Sequence, residues 1–387
     1  MKPKLIRITT VPMALKYLLA GQMQFMQQNG FDVLMISADG KELQDVIANE
    51  NCRHVLVPMT RKITPFQDLK CLFQLIKIFK KEKPTIVHTH TPKAGLLGML
   101  AAKLCGVKVR IHTVAGLPLM VETGFKYQLL KFIEKLTYSA ATHIWPNSNS
   151  LLQFIQHKKL AGNSKLSVIG KGSSNGINTN RFNKTNLDAT ILENVKASFK
   201  YNPSNIYLLC IGRLVKDKGI PELVQTFVAL QHNYRNLKLI LVGDFEEQLD
   251  PLPQETQHQI KYNGDIKHIT WTEHVEYYMA LANYFVFPSH REGFPNVLLQ
   301  AGAMQLPIIC SQIEGNVDIV THQQTGLIFA KQNIEQLQKH IEYAIANPAH
   351  MQQMANELYS IVQTDYKREN MWQNILQQYK SLLSFRR

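Results

Sequence analysis

The amino-acid sequence predicts an α/β protein of two doubly wound domains, each built on a parallel β-sheet. Short apolar runs rich in β-branched residues alternate with longer segments whose apolar residues recur at i, i+3, i+4 and i+7. The pattern restarts after a polar break, "NTNRFNKTNLDATILENVKASFKYNPSN". A chain of 387 residues also exceeds what one core ordinarily holds. We therefore place one domain at residues 1–184 and a second at residues 187–365.

The predicted strands follow one another in a regular order. Those of the first domain are "KLIRIT", "FDVLMIS", "HVLVPM", "TIVHTH", "KVRIHTV", "THIWPNS" and "KLSVIG". Those of the second domain are "IYLLCIG", "LKLILVG", "HITW", "YFVFPS" and "LPIIC". Helical segments such as "FQDLKCLFQLIKIFKKEK" lie between them, and the tail from Pro348 to the basic "SFRR" is helical throughout. Ligands of such sheets bind at the carboxyl ends of the strands, so we expect the site in the cleft between the domains.

Composition and cysteine usage narrow the class of protein. The chain is 45% hydrophobic and 19% charged, as in soluble globular proteins, and it has no apolar run long enough to span a membrane. Its start could be mistaken for a signal peptide, but Pro12 and Lys16 interrupt the apolar part. The five cysteines are odd in number, widely spread and without a CxxC pair. They favour reduced thiols in the cytoplasm over a disulfide framework or a zinc site.

Positive charge is concentrated in the first half of the chain. Residues 1–190 contain 26 Lys and Arg against 10 Asp and Glu, whereas residues 191–387 contain 17 against 19. A basic half of this kind can face nucleic acid, an anionic membrane surface or a phosphorylated substrate. The segment "FQDLKCLFQLIKIFKKEK" is amphipathic and basic. It is typical of a helix packed on a sheet, with contact to a membrane surface as the alternative.

Two segments of the second domain carry candidate binding residues. In "GRLVKDKG", Gly212 ends a strand and lets the backbone approach a ligand, while Arg213 and Lys218 place two cations beside it. Arginine grips phosphate with two hydrogen bonds and lysine acts as a movable point charge, so the pair suits a diphosphate. A surface loop with ordinary basic residues is the alternative.

The second segment, "PSHREGFPNVLLQAGAM", follows the strand "YFVFP" and enters a helix. The N–H groups of Phe294, Asn296 and Val297 at the helix N-terminus favour an anion such as phosphate. The carboxylate of Glu292 repels phosphate but accepts strong hydrogen bonds from neutral hydroxyls. A nucleotide-sugar meets both demands. The alternative is that Glu292 only offsets the helix dipole.

In combination these motifs resemble the two-domain retaining glycosyltransferases of glycosyltransferase family 4. The resemblance rests on "GRLVKDKG", on "PSHREGFPNVLLQAGAM", on the later "GNVDIV" and "TGLIF", and on "HTHTPKAGLLGMLAAKLCGVKVRIHTVAGL" and "GKGSSNGIN" in the first half. It covers nearly the whole chain. It implies a GT-B fold of two Rossmann-like domains, with the C-terminal helix, about residues 366–387, joining the first domain. It also implies that no metal or other cofactor takes part, and no Asp-x-Asp pair occurs in the chain.

The resemblance also implies roles for individual residues of the second domain. Arg213 and Lys218 would bind the donor diphosphate and stabilise the leaving group. Glu292 would hold hydroxyls of the donor sugar, and the backbone from Gly293 onward would hold the sugar and β-phosphate. Eight positions after Glu292 the family usually has a second glutamate against the ribose, and this chain has Gln300, which can bond a diol without the charge assistance. No base-contacting residue is carried over.

In the first domain the resemblance points to His112, in "IHTVAGL", which would lie beside the donor sugar near the reacting carbon. His88 and His90 are predicted to be structural residues at a strand end, and metal binding by these two with His112 is the alternative. "GKGSSNG" lacks the spacing and the following helix of a dinucleotide-binding turn. Its residues Gly172, Ser173 and Ser174 are predicted to form a loop at the cleft that contacts the acceptor.

The sequence thus predicts a retaining glycosyltransferase that uses a nucleoside-diphosphate sugar, with UDP and an N-acetylhexosamine as the expected donor. The expected acceptor is a polyprenyl-diphosphate-linked glycan of surface polysaccharide synthesis (capsule, O-antigen or exopolysaccharide). The basic half would then face an anionic membrane, placing the enzyme peripherally on the inner face of the cytoplasmic membrane. A nucleotide-sugar 2-epimerase on the same fold is one alternative. A nucleic-acid binder is another, but the basic half has no recognisable nucleic-acid module.

Overall fold

The computed structural model describes residues 2–120, 122–246 and 250–384, so the last three residues of "SFRR" lie outside the described part. The chain forms two compact units, residues 1–176 with 368–387, and residues 177–367. The boundary lies at 176/177 rather than at 184, because Ile177 and Phe182 are buried in the core of the second unit. The N–H of Ile177 also donates to the carbonyl of Tyr366, 2.8 Å away in the same unit.

The first unit contains a six-stranded parallel sheet in the order β3-β2-β1-β4-β5-β6. Its strands are β1 (Lys4–Ile8), β2 (Asp32–Ser37), β3 (Arg53–Leu56), β4 (Ile86–His90), β5 (Val109–Val114) and β6 (His143–Pro146). The central strands are buried on both faces, as their continuous apolar runs predict. The order reverses between β1 and β4, which creates a switch point where ligands of such sheets bind.

Helices cover both faces of this sheet. They are α1 (Pro12–Leu18), α2 (Gln22–Gln28), α3 (Leu43–Glu50), α4 (Pro65–Glu82), α5 (Pro92–Leu104), α6 (Gly124–Ala140) and α7 (Asn149–His157). One core lies between the sheet and α4, α5, α6 and α7, and the other lies on the face covered by α1, α2 and α3. The predicted strand "KLSVIG" is wrong: only Leu166 makes a bridge, to Ile144, and the segment continues as a loop.

The second unit repeats the plan with a six-stranded parallel sheet in the order β12-β11-β10-β7-β8-β9. Its strands are β7 (Ile206–Ile211), β8 (Leu237–Val242), β9 (Ile266–Ile269), β10 (Tyr284–Phe287), β11 (Ile308–Gln312) and β12 (Leu327–Ala330). The sequence analysis missed β12 as a strand, since "TGLIF" is short and pairs only at the sheet edge. Both units therefore have the doubly wound architecture that the sequence predicts, and here the switch point lies between β7 and β10.

The helices of the second unit include one in the supposed linker. They are α8 (Ala189–Ser198), α9 (Ile220–Gln231), α10 (Gln254–Tyr262), α11 (Val275–Leu281), α12 (Asn296–Ala303), α13 (Ile334–Ala346) and α14 (Pro348–Asp365). Asp188 caps α8 by accepting from the N–H of Ile191 at 3.0 Å, and Val195 is buried in the core. The polar break is thus mostly a structured part of the second unit.

The helical tail divides between the two units. Helix α14 packs on α12, and α15 (Arg368–Ser384) belongs to the first unit, where Met371, Ile375 and Tyr379 are buried. This places α15 with the first unit, where the family resemblance expects the C-terminal helix. No helix in the described ranges is long and apolar enough to cross a membrane.

Candidate active site

The predicted donor residues of the second unit lie where β7 and β10 end side by side. The loop after β7 contains Gly212, Arg213 and Lys218, and the loop after β10 contains Glu292. Gly219 has φ +68, and a Cβ there would overlap the carbonyl of Pro288. Only glycine lets the two loops approach this closely, so the sequence "DKG" fixes the distance between them.

The approach of the loops brings Lys218 and Glu292 together as an ion pair. Lys218 Nζ donates to Glu292 Oε1 at 2.5 Å, and the two side chains are only 15% and 16% exposed. The hydroxyl of Ser289 donates to the same oxygen at 2.9 Å. The second carboxyl oxygen, Oε2, is not used by either contact. Lys218 can bind a phosphate group, and Glu292 can accept hydrogen bonds from hydroxyl groups. The pair therefore suits a ligand that contains both kinds of group.

The other cations at this edge are also paired with carboxylates. Arg213 Nη1 donates to Glu246 Oε2 at 2.5 Å and remains 47% exposed. Arg291 Nη2 donates to Asp217 Oδ2 at 2.8 Å. Exposed pairs of this kind contribute little stability, about 0–1 kcal/mol. Little stability is therefore lost when Arg213 leaves Glu246 to bind a phosphate.

Helix α12 presents an uncapped N-terminus beside Glu292. Pro295 precedes the helix and no side chain caps it. The first N–H groups of any helix lack intrahelical partners, so those of Asn296 and Val297 are available to an anion. Gly315 (φ +84) packs against the backbone of Gly293, where a Cβ would lie 2.7 Å from the carbonyl oxygen. The loop after β11 thus supports the turn that presents Phe294 and the helix start.

Gln300 lies one turn further along α12 and is half-buried. Its carbonyl accepts from the N–H of Met304 at 3.0 Å, which ends the helix. The structure thus keeps Gln300 on the same helix as the anion-binding start, and no hydrogen bond of its side-chain amide is among those that the structure describes. Its role toward the ribose stays a prediction.

In the first unit, His112 lies at the carboxyl end of β5. Its Nδ1 is 2.9 Å from Thr89 Oγ1, and the side chain is 3% exposed. Burial lowers the pKa of His112 to about 4, so the ring is neutral at pH 7. A Cβ on Gly95 would overlap the ring. Gly95 in "KAGLLG" is therefore what allows helix α5 to hold His112 in place.

His88 and His90 belong to a buried hydrogen-bond chain that begins at Arg7. Arg7 is fully buried and donates to the Tyr379 hydroxyl at 2.7 Å and to His90 Nε2 at 2.9 Å. Tyr379 is 2.5 Å from His88 Nδ1, and His88 Nε2 is 2.7 Å from Thr113 Oγ1.

Arginine can only donate, so the contacts are mutually consistent if Tyr379 donates to His88 and His88 donates to Thr113. The hydroxyl hydrogen of Thr113 is then left to donate elsewhere. The nitrogens of His88 are thus engaged in a structural network, and His90 accepts from a guanidinium. This arrangement supports the structural role predicted for the two histidines. No cluster of three metal-ligating side chains occurs among the residues that the structure describes.

A cavity of about 120 Å³ opens at the ends of β4 and β5 in the first unit. Its walls are Leu18, His90, Thr91, Pro92, His112, Thr113, Val114, Ala115, Gly116, Leu117, Glu134 and Ser174. It brings together two predicted residues, His112 and Ser174. The Ser174 Oγ accepts from Asn147 Nδ2 at 2.7 Å, which leaves its hydroxyl hydrogen for a ligand. Ser173 has φ +75 and accepts from the N–H of Gly176 at 3.0 Å, so Ser173 and Gly172 shape the loop rather than line the cavity.

The sequence analysis missed Glu134 and Ser289. Glu134 is 6% exposed although it lies on helix α6. The signal was available, because Glu134 falls four positions after Leu130 and four before Tyr138, on the apolar face of the helix. Ser289 had no signal beyond its place at a strand end.

Two Rossmann-like units with polar groups at the carboxyl ends of their strands are the components of a GT-B architecture. Residues 7–148 match the glycosyl transferase 4-like family and residues 193–360 match the group 1 glycosyl transferases. The chain is 35% identical over 383 residues to the capsular polysaccharide biosynthesis glycosyltransferase CapM of Staphylococcus aureus, covering 98% of this chain and 97% of that one. The chain therefore belongs to the group 1 (family 4-like) glycosyltransferases, and it is a glycosyltransferase.

Two further similarities agree with this assignment. The UDP-Gal:alpha-D-GlcNAc-diphosphoundecaprenol alpha-1,3-galactosyltransferase of Escherichia coli is 27% identical over 322 residues, 81% of this chain and 80% of that one. The crystal structure of a glycosyltransferase from Rickettsia africae superposes with a TM-score of 0.81 at 19% identity, covering 99% of both chains. The second likeness shows the fold alone, and it confirms the predicted GT-B architecture.

Proposed function

We propose that this glycosyltransferase moves a sugar from a UDP-sugar to a polyprenyl-diphosphate-linked glycan, with retention, in surface polysaccharide synthesis. The observation that carries the proposal is the Lys218–Glu292 pair beside the uncapped start of α12. The capsular function in the name of the Staphylococcus aureus relative supports the pathway. The UDP-sugar and diphosphoundecaprenol in the name of the Escherichia coli relative support the donor and acceptor classes.

The donor diphosphate is bound by positive charge at the edge of the second unit. Lys218 turns from Glu292 to the phosphates, Arg213 exchanges Glu246 for a phosphate oxygen, and the N–H groups of Asn296 and Val297 complete the site. As the glycosidic bond breaks, negative charge grows on the leaving phosphate, and these donors stabilise it. That no metal or other cofactor takes part stays a prediction.

The sugar is held by groups that favour neutral hydroxyls. Glu292, released from Lys218, accepts hydrogen bonds from the donor sugar. In the retaining step the bond between the anomeric carbon and the phosphate oxygen breaks. The acceptor oxygen then bonds to that carbon from the same face, and its proton passes to the leaving phosphate. His112 contributes as a hydrogen-bonding group near the reacting carbon, because its low pKa makes it a poor base at pH 7.

The first unit also has a surface suited to an anionic membrane. Ile63, Phe66, Leu69 and Phe73 on and before α4 are 51–87% exposed, and Phe125 and Phe132 on α6 are 84% and 64% exposed. Exposed lysines flank them, including Lys62, Lys70, Lys77, Lys126 and Lys135. Both helices pack against α5, so they lie on one face of the sheet. We call these apolar and basic residues the α4–α6 surface.

Apolar side chains among lysines favour insertion at an anionic lipid surface, with about 1 kcal/mol from each nearby lysine. Helices α4 and α6 begin at the carboxyl edge of the sheet, the edge where the cavity opens. A membrane at the α4–α6 surface would therefore lie next to the site for a lipid-linked acceptor. Peripheral membrane binding by this surface is part of the proposal.

Sedimentation with vesicles tests the membrane part. We expect binding to phosphatidylcholine vesicles containing phosphatidylglycerol and little binding to pure phosphatidylcholine. Phe66→Ser with Phe125→Ser should lower binding, whereas Tyr262→Ser, an exposed aromatic of the second unit, should not. Equal binding to both vesicle types would contradict the electrostatic part.

A donor screen tests the enzymatic part. Purified protein is incubated with UDP-, GDP- and other nucleotide sugars, with and without a polyprenyl-diphosphate-linked saccharide, and the products are identified by mass spectrometry. We expect transfer from UDP-sugars that depends on the lipid-linked acceptor. Conversion of the donor alone into its 2-epimer would contradict the proposal.

A further inference from the structure

Glu134 is a buried acid whose carboxyl group lines the cavity of the first unit. It is 6% exposed, and its described side-chain partner is the Tyr138 hydroxyl, one helical turn further on. Burial raises the pKa of Glu134 to about 7, and the hydrogen bond with Tyr138 opposes this rise in part. The two oxygens of a carboxyl group can accept several hydrogen bonds, so Glu134 can accept a further one from a ligand in the cavity that it lines.

The cavity favours a neutral ligand group. Its described lining contains no Lys or Arg. His112 is neutral at pH 7, and burial with the nearby Arg7 holds the pKa of His90 well below its usual range. A phosphate would therefore meet a carboxyl group and no cation in this cavity. The diphosphate of either substrate is thus better placed elsewhere, and a part of a sugar is the remaining candidate.

The walls of the cavity narrow the group further. The cavity, of about 120 Å³, has room for a small side group of a sugar. An acetamido group combines a nitrogen that donates, an oxygen that accepts and an apolar methyl. Glu134 can accept a hydrogen bond from the N–H of the acetamido group. The hydroxyl groups of Thr113 and Ser174, which have a hydrogen left to donate, can bind the acetamido oxygen. The apolar part of the cavity wall can contact the methyl group and consists of Leu18, Val114 and Leu117.

We infer that this cavity binds the acetamido group of an N-acetylated substrate sugar and that Glu134 is the residue that selects it. The inference rests on the proposed function, since it assigns the group to a substrate of the transfer reaction. The group belongs either to the donor sugar or to the acceptor sugar, and the two sources share the same chemistry. Glu134 is thus a specificity-determining residue on helix α6.

Calorimetry in a donor arm and transfer kinetics in an acceptor arm, both with the full chain, separate the two sources. The donor arm measures affinity for UDP-N-acetylglucosamine, UDP-glucose and UDP. The acceptor arm measures KM for a polyprenyl-diphosphate-linked N-acetylglucosamine and for its glucose analogue. The variants are Glu134→Leu, which removes the acceptor atoms, and Glu134→Gln, which keeps one. The matched control is Glu335→Gln, at an exposed glutamate on α13 of the second unit.

In either the donor arm or the acceptor arm, we expect the wild type to prefer the N-acetylated ligand over the plain one about ten- to a hundredfold. This is the size of effect that a hydrogen bond to a charged group has. Glu134→Leu should reduce that preference to less than about threefold. Glu134→Gln should keep most of it, and Glu335→Gln should keep all of it. UDP affinity should not change in any variant. A preference in the donor arm assigns the group to the donor sugar, and one in the acceptor arm assigns it to the acceptor.

Two results would overturn the inference. One is a wild type with no preference in either arm. The other is a Glu134→Leu protein that loses affinity equally for N-acetylated and plain ligands, which would make Glu134 a structural residue. Failure of the proposed function looks different, because the wild type would then transfer no sugar to the lipid-linked acceptor, whatever its affinity for UDP-sugars.

Discussion

Replacing Glu292 should move nucleotide affinity and turnover in opposite directions. In the structure Glu292 holds Lys218 at 2.5 Å, and the proposed function assigns Lys218 to the donor diphosphate. Glu292→Ala frees the lysine and removes a carboxylate from beside the phosphates. The same change removes the acceptor for the sugar hydroxyls. We therefore expect UDP to bind more tightly while transfer slows.

The magnitudes follow from the charges involved. Two unit charges about 6 Å apart at an effective dielectric constant of about 20 interact by about 3 kcal/mol. Screening by salt reduces this at a partly exposed site, so we expect about 1 kcal/mol, or about fivefold tighter UDP binding. Loss of charge-assisted hydrogen bonds to the sugar should cost about 1.5–3 kcal/mol in the transition state, a ten- to hundredfold lower kcat/KM.

The assay combines calorimetry with UDP and steady-state transfer kinetics. Gln300→Ala is the comparison variant, because its neutral amide should contribute about 0.5–1.5 kcal/mol, a loss of about two- to tenfold. Lys218→Met should weaken UDP binding and transfer together. Equal losses for Glu292→Ala and Gln300→Ala, or weaker UDP binding by Glu292→Ala, would refute this division of roles.

Three further predictions concern the first unit. Tyr379→Phe leaves the Arg7 guanidinium short of an acceptor and should cost about 2 kcal/mol, lowering the melting temperature by about 4–8 °C, whereas Tyr262→Phe should leave it unchanged in calorimetry. Gly95→Ala should displace the His112 ring and lower kcat at least about tenfold with UDP affinity intact, whereas Gly162→Ala, with open space around it, should lower neither. Glu134→Gln should flatten the pH dependence of the free energy of unfolding. The pKa of Glu134 in the folded state, about 7, exceeds its ordinary value of 4.5, so the folded state favours the protonated acid. The wild type should therefore lose stability relative to the variant as the pH rises from about 4.5 to about 7. Urea unfolding at pH 5 and pH 7.5 measures the difference, and parallel curves would contradict it.

The architecture could be predicted from sequence because the period of its apolar residues changes between strand and helix. Runs such as "TIVHTH" and "IYLLCIG" become fully or almost fully buried parallel strands, as continuous β-branched runs should. "KLSVIG" has the same composition but only Leu166 finds a partner strand. A local sequence pattern indicates the tendency of a segment to form a strand. Whether that segment pairs with the sheet depends on residues distant in sequence.

The candidate site was predicted as a set of residues but not as a set of contacts. The motifs brought Arg213, Lys218 and Glu292 into one region, yet nothing in their spacing showed that Lys218 pairs with Glu292. That contact depends on Gly219 and on the neighbouring β7 and β10, which are joined by the fold and not by the chain.

Buried polar residues were the hardest to predict. Glu134 sits on a helix whose other faces carry lysines, so its charge resembles that of a solvated face. Tyr379 reaches Arg7 across 372 positions of sequence. The spacing of Glu134 from Leu130 and Tyr138 indicates a buried helix face, but only the tertiary structure shows that Glu134 lines a cavity and that Tyr379 contacts Arg7.

Transfer of a sugar to a lipid-linked acceptor can be measured with the purified enzyme. Purified enzyme, a UDP-sugar and a polyprenyl-diphosphate-linked saccharide are combined, and the product is examined by mass spectrometry and by the anomeric signals in NMR. We expect a glycan one sugar longer, with the anomeric configuration of the donor kept. Donor hydrolysis without a longer glycan, or a product of inverted configuration, would contradict it.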